Sequence, residues 1–296
     1  MRRVFIHKLI PVLVLLCLLA VRGDTGSSGK SFLWEVQGKN NTVYLLGSIH
    51  VGTRDMYPLN PVIEKAFKKS PVAVFEVYPD GVPKDKKQKI MKKHIYYPKG
   101  ESLKDHVSLK TYRMAKRKFR AYGLNLDALQ KLRSWYLTFM LFYRHLERNG
   151  LQQSFGLDFH FMSRVKDKKV KTLESFDYHM SFFNELSDKT LEWNMIYTLK
   201  DLDKGGDEVA LLLKSWRNGD LPEFERVMML GFDGKPELKP LYNKMVIERN
   251  IAMTKEIKGY LSEDEGHFVV VGAGHLLGET GILSSLESDG YEVERK

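Results

Sequence analysis

Cysteine is almost absent from this chain of 296 residues, which contains only Cys17. A single thiol excludes intramolecular disulfides, and it excludes zinc and iron–sulfur sites built from cysteine. The composition is otherwise that of a globular protein, with 43% hydrophobic and 28% charged residues, so the chain is neither disordered nor fibrous. Several common catalytic motifs are also missing: there is no Gly-x-Ser-x-Gly elbow, no Walker loop and no His-Glu-x-x-His pair.

Long hydrophobic runs are equally scarce, and the main one lies near the N-terminus. Residues 9–21 are apolar except for Pro11 and follow a basic start, and 13 residues suit a signal-peptide core better than a membrane span. We expect residues 1–23 to be a signal peptide and residues 24–30 a Gly/Ser-rich linker, which predicts a secreted or periplasmic protein. The alternative is an uncleaved N-terminal anchor, and no other segment is apolar enough to cross a membrane.

Strong positive charge is lacking once that segment is removed. The whole chain has a formal charge of +10, but residues 24–296 carry 43 basic and 37 acidic side chains, a formal charge of +6. This excess is too modest to argue for nucleic acid as a partner. The lysine-rich stretch at 84–93 indicates a solvated helix face, with attachment to anionic surfaces as an alternative. The 273 remaining residues suffice for one domain with a large core, predicted over residues 31–296.

Segments that form strands cluster at the two ends of the chain. Residues 32–36 and 42–47 predict a hairpin, and the continuous apolar runs at 72–77 and 267–271 predict buried strands. A helix beginning at Pro61, a helix over 278–289 and a strand over 291–294 complete the pattern. Together these segments predict an α/β fold with a mixed central sheet built from both termini.

The middle of the chain, from about residue 82 to residue 262, is predicted to be a large helical insertion. Apolar residues there recur at spacings of three and four, and residues 126–146 predict one long, aromatic-rich helix. A short strand over 170–174 interrupts the helices.

Two short motifs place histidines where active sites form in α/β sheets. Gly47-x-x-His50 and Gly272-x-x-His275 each end an apolar strand, and ligands bind beyond the carboxyl ends of such strands. Glu76 lies inside a third apolar run, where a carboxylate is costly unless it is paired or bound to metal. Two histidines and a glutamate form a typical catalytic metal set. Each residue alone is also compatible with a structural role, and periodicity does not show that the three converge.

These residues belong to a larger pattern that resembles the TraB/GumN family, whose relatives include the TIKI metalloproteases that inactivate Wnt proteins. The resemblance implies an α/β fold related to erythromycin esterase and to haem-binding ChaN-like proteins. It implies a metal site of His50, Glu76 and His275, with other residues bracing the cleft. The matching anchors are Trp34, residues 44–50, Glu76, residues 156–158, Leu173, Glu174, Trp216, Gly219, Asp220, residues 248–250 and residues 271–278.

The bracing residues implied by the family pattern are Asp158, Glu174, Arg249 and Asn250. Residues 248–250 taken alone predict a helix surface, although the spacing of Asn250 and Met253 turns one side inward. One position departs from the family, which commonly has glutamine where this chain has His179. His179 is therefore a harmless exchange, an additional ligand or a shifted substrate contact.

The sequence thus predicts an exported, metal-dependent hydrolase of the peptidase type, with a peptide or protein as substrate. His50, Glu76 and His275 would hold a divalent metal, and zinc, manganese and cobalt all suit histidine and carboxylate ligands. Glu174 is a candidate general base and Arg249 a candidate stabiliser of oxyanion charge. The alternative is a non-catalytic binding protein that sequesters a peptide or haem.

Overall fold

A computed structural model describes residues 29–202 and 207–296. The predicted signal peptide, Cys17 and most of the predicted linker lie outside the described residues. The centre of the described part is a six-stranded mixed sheet in the order β4-β3-β5-β2-β1-β6. The strands are β1 Leu33–Gln37, β2 Thr42–Ser48, β3 Val72–Phe75, β4 Lys169–Thr172, β5 His267–Gly272 and β6 Val293–Arg295.

The sheet joins the two ends of the chain, as the sequence predicted. β5, from the C-terminal region, lies between β2 and β3 and pairs in parallel with both. β4 continues the parallel part beside β3, whereas β1 pairs antiparallel with β2 and with β6. The predicted fold class, α/β with a mixed central sheet, is therefore confirmed.

The apolar runs explain which strands occupy the middle of the sheet. Every residue of β3 and β5 is buried, and so are all residues of β2 except Thr42. Strands that are apolar on both faces require helices on both sides, which is the arrangement of parallel sheets in α/β proteins.

Helices make up most of the segment between β3 and β5. The first α-helix among the described residues precedes β3. It begins after Asn60, whose side chain accepts a hydrogen bond from Val62 N, with Pro61 at the first helical position, as N-terminal capping favours. The helices are Pro61–Lys69, Lys84–Ile95, Leu103–His106, Leu109–Ala121, Leu126–Leu129, Ser134–Arg148, Leu157–Met162, Phe176–Ser181, Asp188–Asp201, Asp207–Asn218, Leu221–Met229, Lys239–Tyr242, Glu248–Leu261, Ala273–Leu276 and Ile282–Ser288.

The prediction of a single helix over residues 126–146 is wrong, because the helix is interrupted between Leu129 and Ser134. Arg133 has an extended backbone, and its N–H donates to the carbonyl oxygen of Ile95 at 2.8 Å. The N–H of Ser134 donates to the hydroxyl of Tyr97 at 3.0 Å. These long-range bonds replace the intrahelical ones, and periodicity within the segment carries no signal for them.

Two other boundaries differ from the predictions near the ends of strands. β3 ends at Phe75, so Glu76 follows the strand rather than lying inside it. The helix predicted over 278–289 covers only Ile282–Ser288, and a separate turn of helix, Ala273–Leu276, follows β5 directly. Among the described residues, no helix has the length and apolar character needed to cross a membrane.

His267, at the start of β5, is a buried histidine that we expect to make the stability of the protein depend on pH. It is fully buried, stacks on Tyr260, and neither ring nitrogen makes a hydrogen bond within the described residues. Its Nε2 lies 3.3 Å from the carboxylate of Glu263 without hydrogen-bond geometry. Burial lowers the pKa of His267, an effect that Glu263 opposes and Lys171 reinforces.

We expect His267→Phe to be more stabilising at pH 5 than at pH 8. In the unfolded chain His267 binds a proton at the ordinary histidine pKa of about 6.5, whereas in the folded chain it resists protonation. The contribution of His267 to stability is therefore fully present above that pKa and is lost as the pH falls below it. Between the pKa of His267 in the unfolded chain and its lower pKa in the folded chain, each unit of falling pH lowers the free energy of unfolding by about 1.4 kcal/mol. Urea denaturation of both proteins at the two pH values measures this difference, and an equal difference at both would contradict it.

Candidate functional site

Four acidic or histidine side chains follow the carboxyl ends of the four parallel strands. His50 follows β2, Glu76 follows β3, Glu174 follows β4 and His275 follows β5. Parallel strands bring their carboxyl ends to one edge of the sheet, where ligands bind in α/β folds. Arg249 reaches the same edge from helix Glu248–Leu261. We call these five residues, all buried, the polar cluster.

Gly272 marks the point at which three of the predicted site residues converge. A Cβ atom added there would lie 3.2 Å from Glu76 Oε1, 3.4 Å from His50 Nε2 and 3.5 Å from His275 Cδ2. The structure therefore brings together the two histidines and the glutamate. It also explains the glycine, since any side chain at this position would fill the space between them.

The ring of His50 is held from behind by a carboxylate. Its Nδ1 lies 2.6 Å from Asp158 Oδ2, and the other oxygen of Asp158 accepts a hydrogen bond from Ser48 Oγ at 3.0 Å. Nε2 of His50 has no hydrogen-bond partner among the described residues. His50 also lines a cavity beside the polar cluster. Burial alone lowers the pKa of His50, but Asp158 and Glu76 outweigh it, so the net pKa is raised.

The ring of His275 is oriented in a similar way by an amide. Asn250 donates from Nδ2 to the carbonyl oxygen of Thr280 at 2.8 Å, so its Oδ1 accepts from Nδ1 of His275 at 2.6 Å. Nε2 then carries the lone pair and accepts from Arg249 Nη1 at 3.0 Å. Burial, reinforced by the charge of Arg249, lowers the pKa of His275 to about 4, so the ring is neutral at pH 7.

Arg249 connects the whole cluster, and all five of its N–H donors are engaged. Nε donates to Glu174 Oε1 at 2.6 Å, and Nη2 donates to Glu76 Oε2 at 2.6 Å and to Glu174 Oε2 at 3.0 Å. Nη1 donates to His275 Nε2 and to the carbonyl oxygen of Met245. This arrangement leaves no N–H group of Arg249 for a further hydrogen bond.

The two glutamates keep their charge because of these contacts. Burial by itself raises the pKa of Glu76, but Arg249 and the two histidines hold it well below its usual range. The same competition lowers the pKa of Glu174, with Arg249 and His179 as the opposing groups. The backbone N–H of Gly272 also donates to Glu76 Oε1 at 2.7 Å, which fixes that carboxylate beside the histidines.

His179 and Glu174 lie behind Arg249 and not in the wall of the adjoining cavity. Nδ1 of His179 is 3.1 Å from Glu174 Oε2, and both side chains are buried. In this position His179 supports Glu174, and it does not reach the point where His50, Glu76 and His275 converge. Its role as a substrate contact or additional ligand remains a prediction.

The residues predicted to bind a metal have suitable donor atoms, but their arrangement does not suit a metal ion. Both imidazoles have Nδ1 held by an oxygen, which leaves Nε2 for a metal as in many metal centres. However, the permanent cation of Arg249 is bonded to Nε2 of His275 and to Glu76. Among the described residues no group of three His, Cys, Asp or Glu side chains is arranged to hold a metal ion. A divalent ion would require Arg249 to move.

A mostly apolar cavity of about 120 Å³ opens above the polar cluster. His50, Arg249, Gly272 and His275 form its polar end, together with Ser48. The rest of its wall consists largely of side chains from the helical middle of the chain, among them Phe139, Phe142, Phe224, Met228, Leu241 and Met245. An apolar pocket with a few convergent polar groups is typical of small-molecule and substrate sites.

The sequence did not identify two features of this site. Ser48, which supports Asp158, lies inside the first Gly-x-x-His motif, so its position between Gly47 and His50 was an available signal. Asn194 and Thr198 also line the cavity, but they belong to a helix with little separation of polar and apolar faces, and no motif distinguishes them.

Comparison with known proteins finds relatives with similar sequences. The chain is 23% identical to the uncharacterized protein YbaP of Escherichia coli over 245 residues, covering 81% of this chain and 86% of YbaP. It is 27% identical to the metalloprotease TIKI2 of Xenopus tropicalis, covering 92% of this chain and 62% of TIKI2. Against the human metalloprotease TIKI1 it is 33% identical over 110 residues, covering 33% of this chain and 21% of TIKI1. No solved structure matches significantly.

A sequence model of one family covers nearly all of the described residues. The model of the TraB/PrgY/gumN family matches residues 32–295, a range that includes all six strands and the whole polar cluster. The chain therefore belongs to the TraB/PrgY/gumN family.

Proposed function

We propose that this protein is a hydrolase of the peptidase type that acts at the polar cluster on a peptide or protein substrate. The observation that supports this best is the ring of His50. Its Nδ1 is held by Asp158, its Nε2 has no partner among the described residues, and the residue lines the mostly apolar cavity. The similarity to the TIKI metalloproteases supports the same class of reaction.

In this proposal His50 is the general base. Nε2 takes a proton from the attacking water, and the negative charge of Asp158 stabilises the imidazolium that forms. The water oxygen then bonds to the carbonyl carbon of the substrate, and the proton passes to the leaving amine when the C–N bond breaks. Arg249 lies in the same cavity wall, so its charge favours the oxyanion that develops.

Glu76, Glu174 and Asn250 have positioning roles in this proposal. Glu76 and Glu174 fix the guanidinium of Arg249 through its N–H groups, while Asn250 sets the tautomer of His275. The sequence-based role of Glu174 as general base remains a prediction, although its two oxygens are occupied by Arg249 and His179.

A requirement for a divalent metal remains a second part of the proposal, supported by the relatives that are metalloproteases. The contacts that hold Nδ1 of His50 and Nδ1 of His275 favour metal binding through Nε2. The position of Arg249 opposes metal binding. We assign no step of the reaction to a metal. Zinc, manganese and cobalt are the ions to test, because the donors are imidazole and carboxylate.

Digestion of a peptide library by the purified protein tests the proposal. We expect cleavage by the wild type, measured by mass spectrometry, before and after dialysis against a chelator and after return of each metal. Loss on dialysis and recovery with one metal would establish the metal requirement. Stoichiometric binding of peptide or haem without cleavage under any condition would overturn the hydrolase and favour the sequestering alternative.

Export is a further part of the proposal, since the predicted signal peptide lies outside the described residues. We expect the protein in the periplasm or the medium, with an N-terminus after Gly23. N-terminal sequencing of the fractionated protein measures both, and an intact residue 1 on membrane-bound protein would support the uncleaved anchor instead.

A further inference from the structure

Two polar side chains in the cavity wall have no partner within the described residues. Asn194 and Thr198 lie one turn apart on helix Asp188–Asp201 and are 6% and 8% exposed. Neither side chain makes a hydrogen bond to another described residue, although both line the cavity. An amide that reaches an apolar cavity without a protein partner can bond to a polar group of a ligand in that cavity.

These two residues lie where the cavity adjoins a second space. They also line a smaller adjoining pocket of about 30 Å³, whose wall includes none of His50, Arg249 and His275. The wall of the cavity is mainly apolar, with Phe142 and Leu238 shared by both spaces. A ligand that reaches from the cluster to Asn194 therefore needs an apolar body and a polar tip.

The volume of the cavity limits the size of that body. About 120 Å³ is close to the apolar cavity of about 150 Å³ that accepts a benzene molecule. A single aromatic ring matches this space, whereas a long acyl chain exceeds it. The adjoining space of about 30 Å³ is sufficient for a hydroxyl group and its hydrogen-bonding neighbour.

We propose that the cavity is a specificity pocket for a tyrosine side chain of the substrate. The ring packs among the phenylalanine and leucine side chains, and the phenolic hydroxyl accepts a hydrogen bond from Nδ2 of Asn194 or donates one to Oδ1. The assignment rests on the proposed hydrolase only in placing the scissile bond of that peptide beside His50. Asn194 is then the residue that distinguishes tyrosine from phenylalanine.

Binding of two blocked amino acids to the full chain tests this without requiring turnover. We expect N-acetyltyrosinamide to bind about tenfold more tightly than N-acetylphenylalaninamide, because only the phenol satisfies the buried amide. Asn194→Leu, which keeps the size of the side chain, should abolish or reverse that preference. Asn243→Leu, at an exposed asparagine, is the matched control and should keep it. Calorimetry gives the dissociation constants, and thermal unfolding verifies that each variant folds.

The two proposals fail in different ways. Equal affinity of the wild type for both probes, no saturable binding of either, or a tyrosine preference that survives in Asn194→Leu would overturn the specificity pocket, whether or not peptides are cleaved. A tenfold preference that disappears in Asn194→Leu, in a protein that cleaves no peptide, would support the pocket and reject the hydrolase.

Discussion

Replacing Arg249 with methionine is expected to lower the free energy of unfolding by about 3–5 kcal/mol. Arg249 is 2% exposed and is the cation that Glu76 and Glu174 share. Its removal leaves two buried carboxylates facing the same space, and breaking a buried ion pair from one side is far more costly than the pair is stabilising. Urea denaturation of wild type and variant measures the difference.

An exposed arginine provides the control for this substitution. Arg226 forms a bidentate pair with Glu223 on one face of helix Leu221–Met229, with distances of 2.7 and 2.8 Å. Because that pair is solvated, Arg226→Met should cost less than about 1 kcal/mol. Similar losses for the two variants would mean that Arg249 does not hold the cluster together. Arg249→Met combined with Glu174→Gln should recover part of the loss, because the two effects are coupled.

The sequence placed each of three candidate site residues at or near the carboxyl end of a predicted strand, although it did not show that the three converge. Continuous apolar runs identified β3 and β5 as buried strands of a parallel or mixed sheet, and the hairpin pattern identified β2. Since parallel strands share an edge at their carboxyl ends, His50, Glu76 and His275 were expected there. The family resemblance added Asp158 and Glu174, which the structure places in contact with His50 and Arg249.

The position of Arg249 could not be obtained from the same reasoning. Residues 248–250 begin a helix, and only the spacing of Asn250 and Met253 indicated that one side faces inward. The guanidinium lies between Glu76 and Glu174, which are 173 and 75 residues away in the chain, and no local pattern encodes such distances. The predicted metal site therefore lacked the arginine that contacts two of its three proposed ligands, His275 and Glu76.

The interruption of the predicted helix near residue 130 is a second feature that local sequence patterns did not predict. The spacing of apolar residues is helical on both sides, but the chain between Leu129 and Ser134 bonds to residues 95–97 instead. The consequence is functional, because helix Ser134–Arg148 contributes Thr138, Phe139 and Phe142 to the cavity. The specificity pocket thus depends on tertiary contacts that local periodicity does not encode.

The largest effect on activity is expected from His50 and Asp158. If the protein is the proposed hydrolase, His50→Ala should lower kcat by about 10²- to 10⁴-fold, the usual contribution of a general base. Asp158→Asn should have an effect of similar size. The asparagine keeps the shape of the side chain but removes the charge that stabilises the imidazolium, and it favours the tautomer with the proton on Nε2.

The double variant distinguishes a functional pair from two independent structural contacts. Because Asp158 acts through His50, the variant with both His50→Ala and Asp158→Asn should be no slower than His50→Ala alone. Ser48→Ala, which removes only the 3.0 Å hydrogen bond to Asp158 Oδ1, is the control and should change kcat by less than about tenfold. Steady-state rates on one cleaved peptide, with unfolding curves for each variant, separate catalysis from stability. Full activity in Asp158→Asn, or losses that multiply in the double variant, would remove His50 from the role of general base.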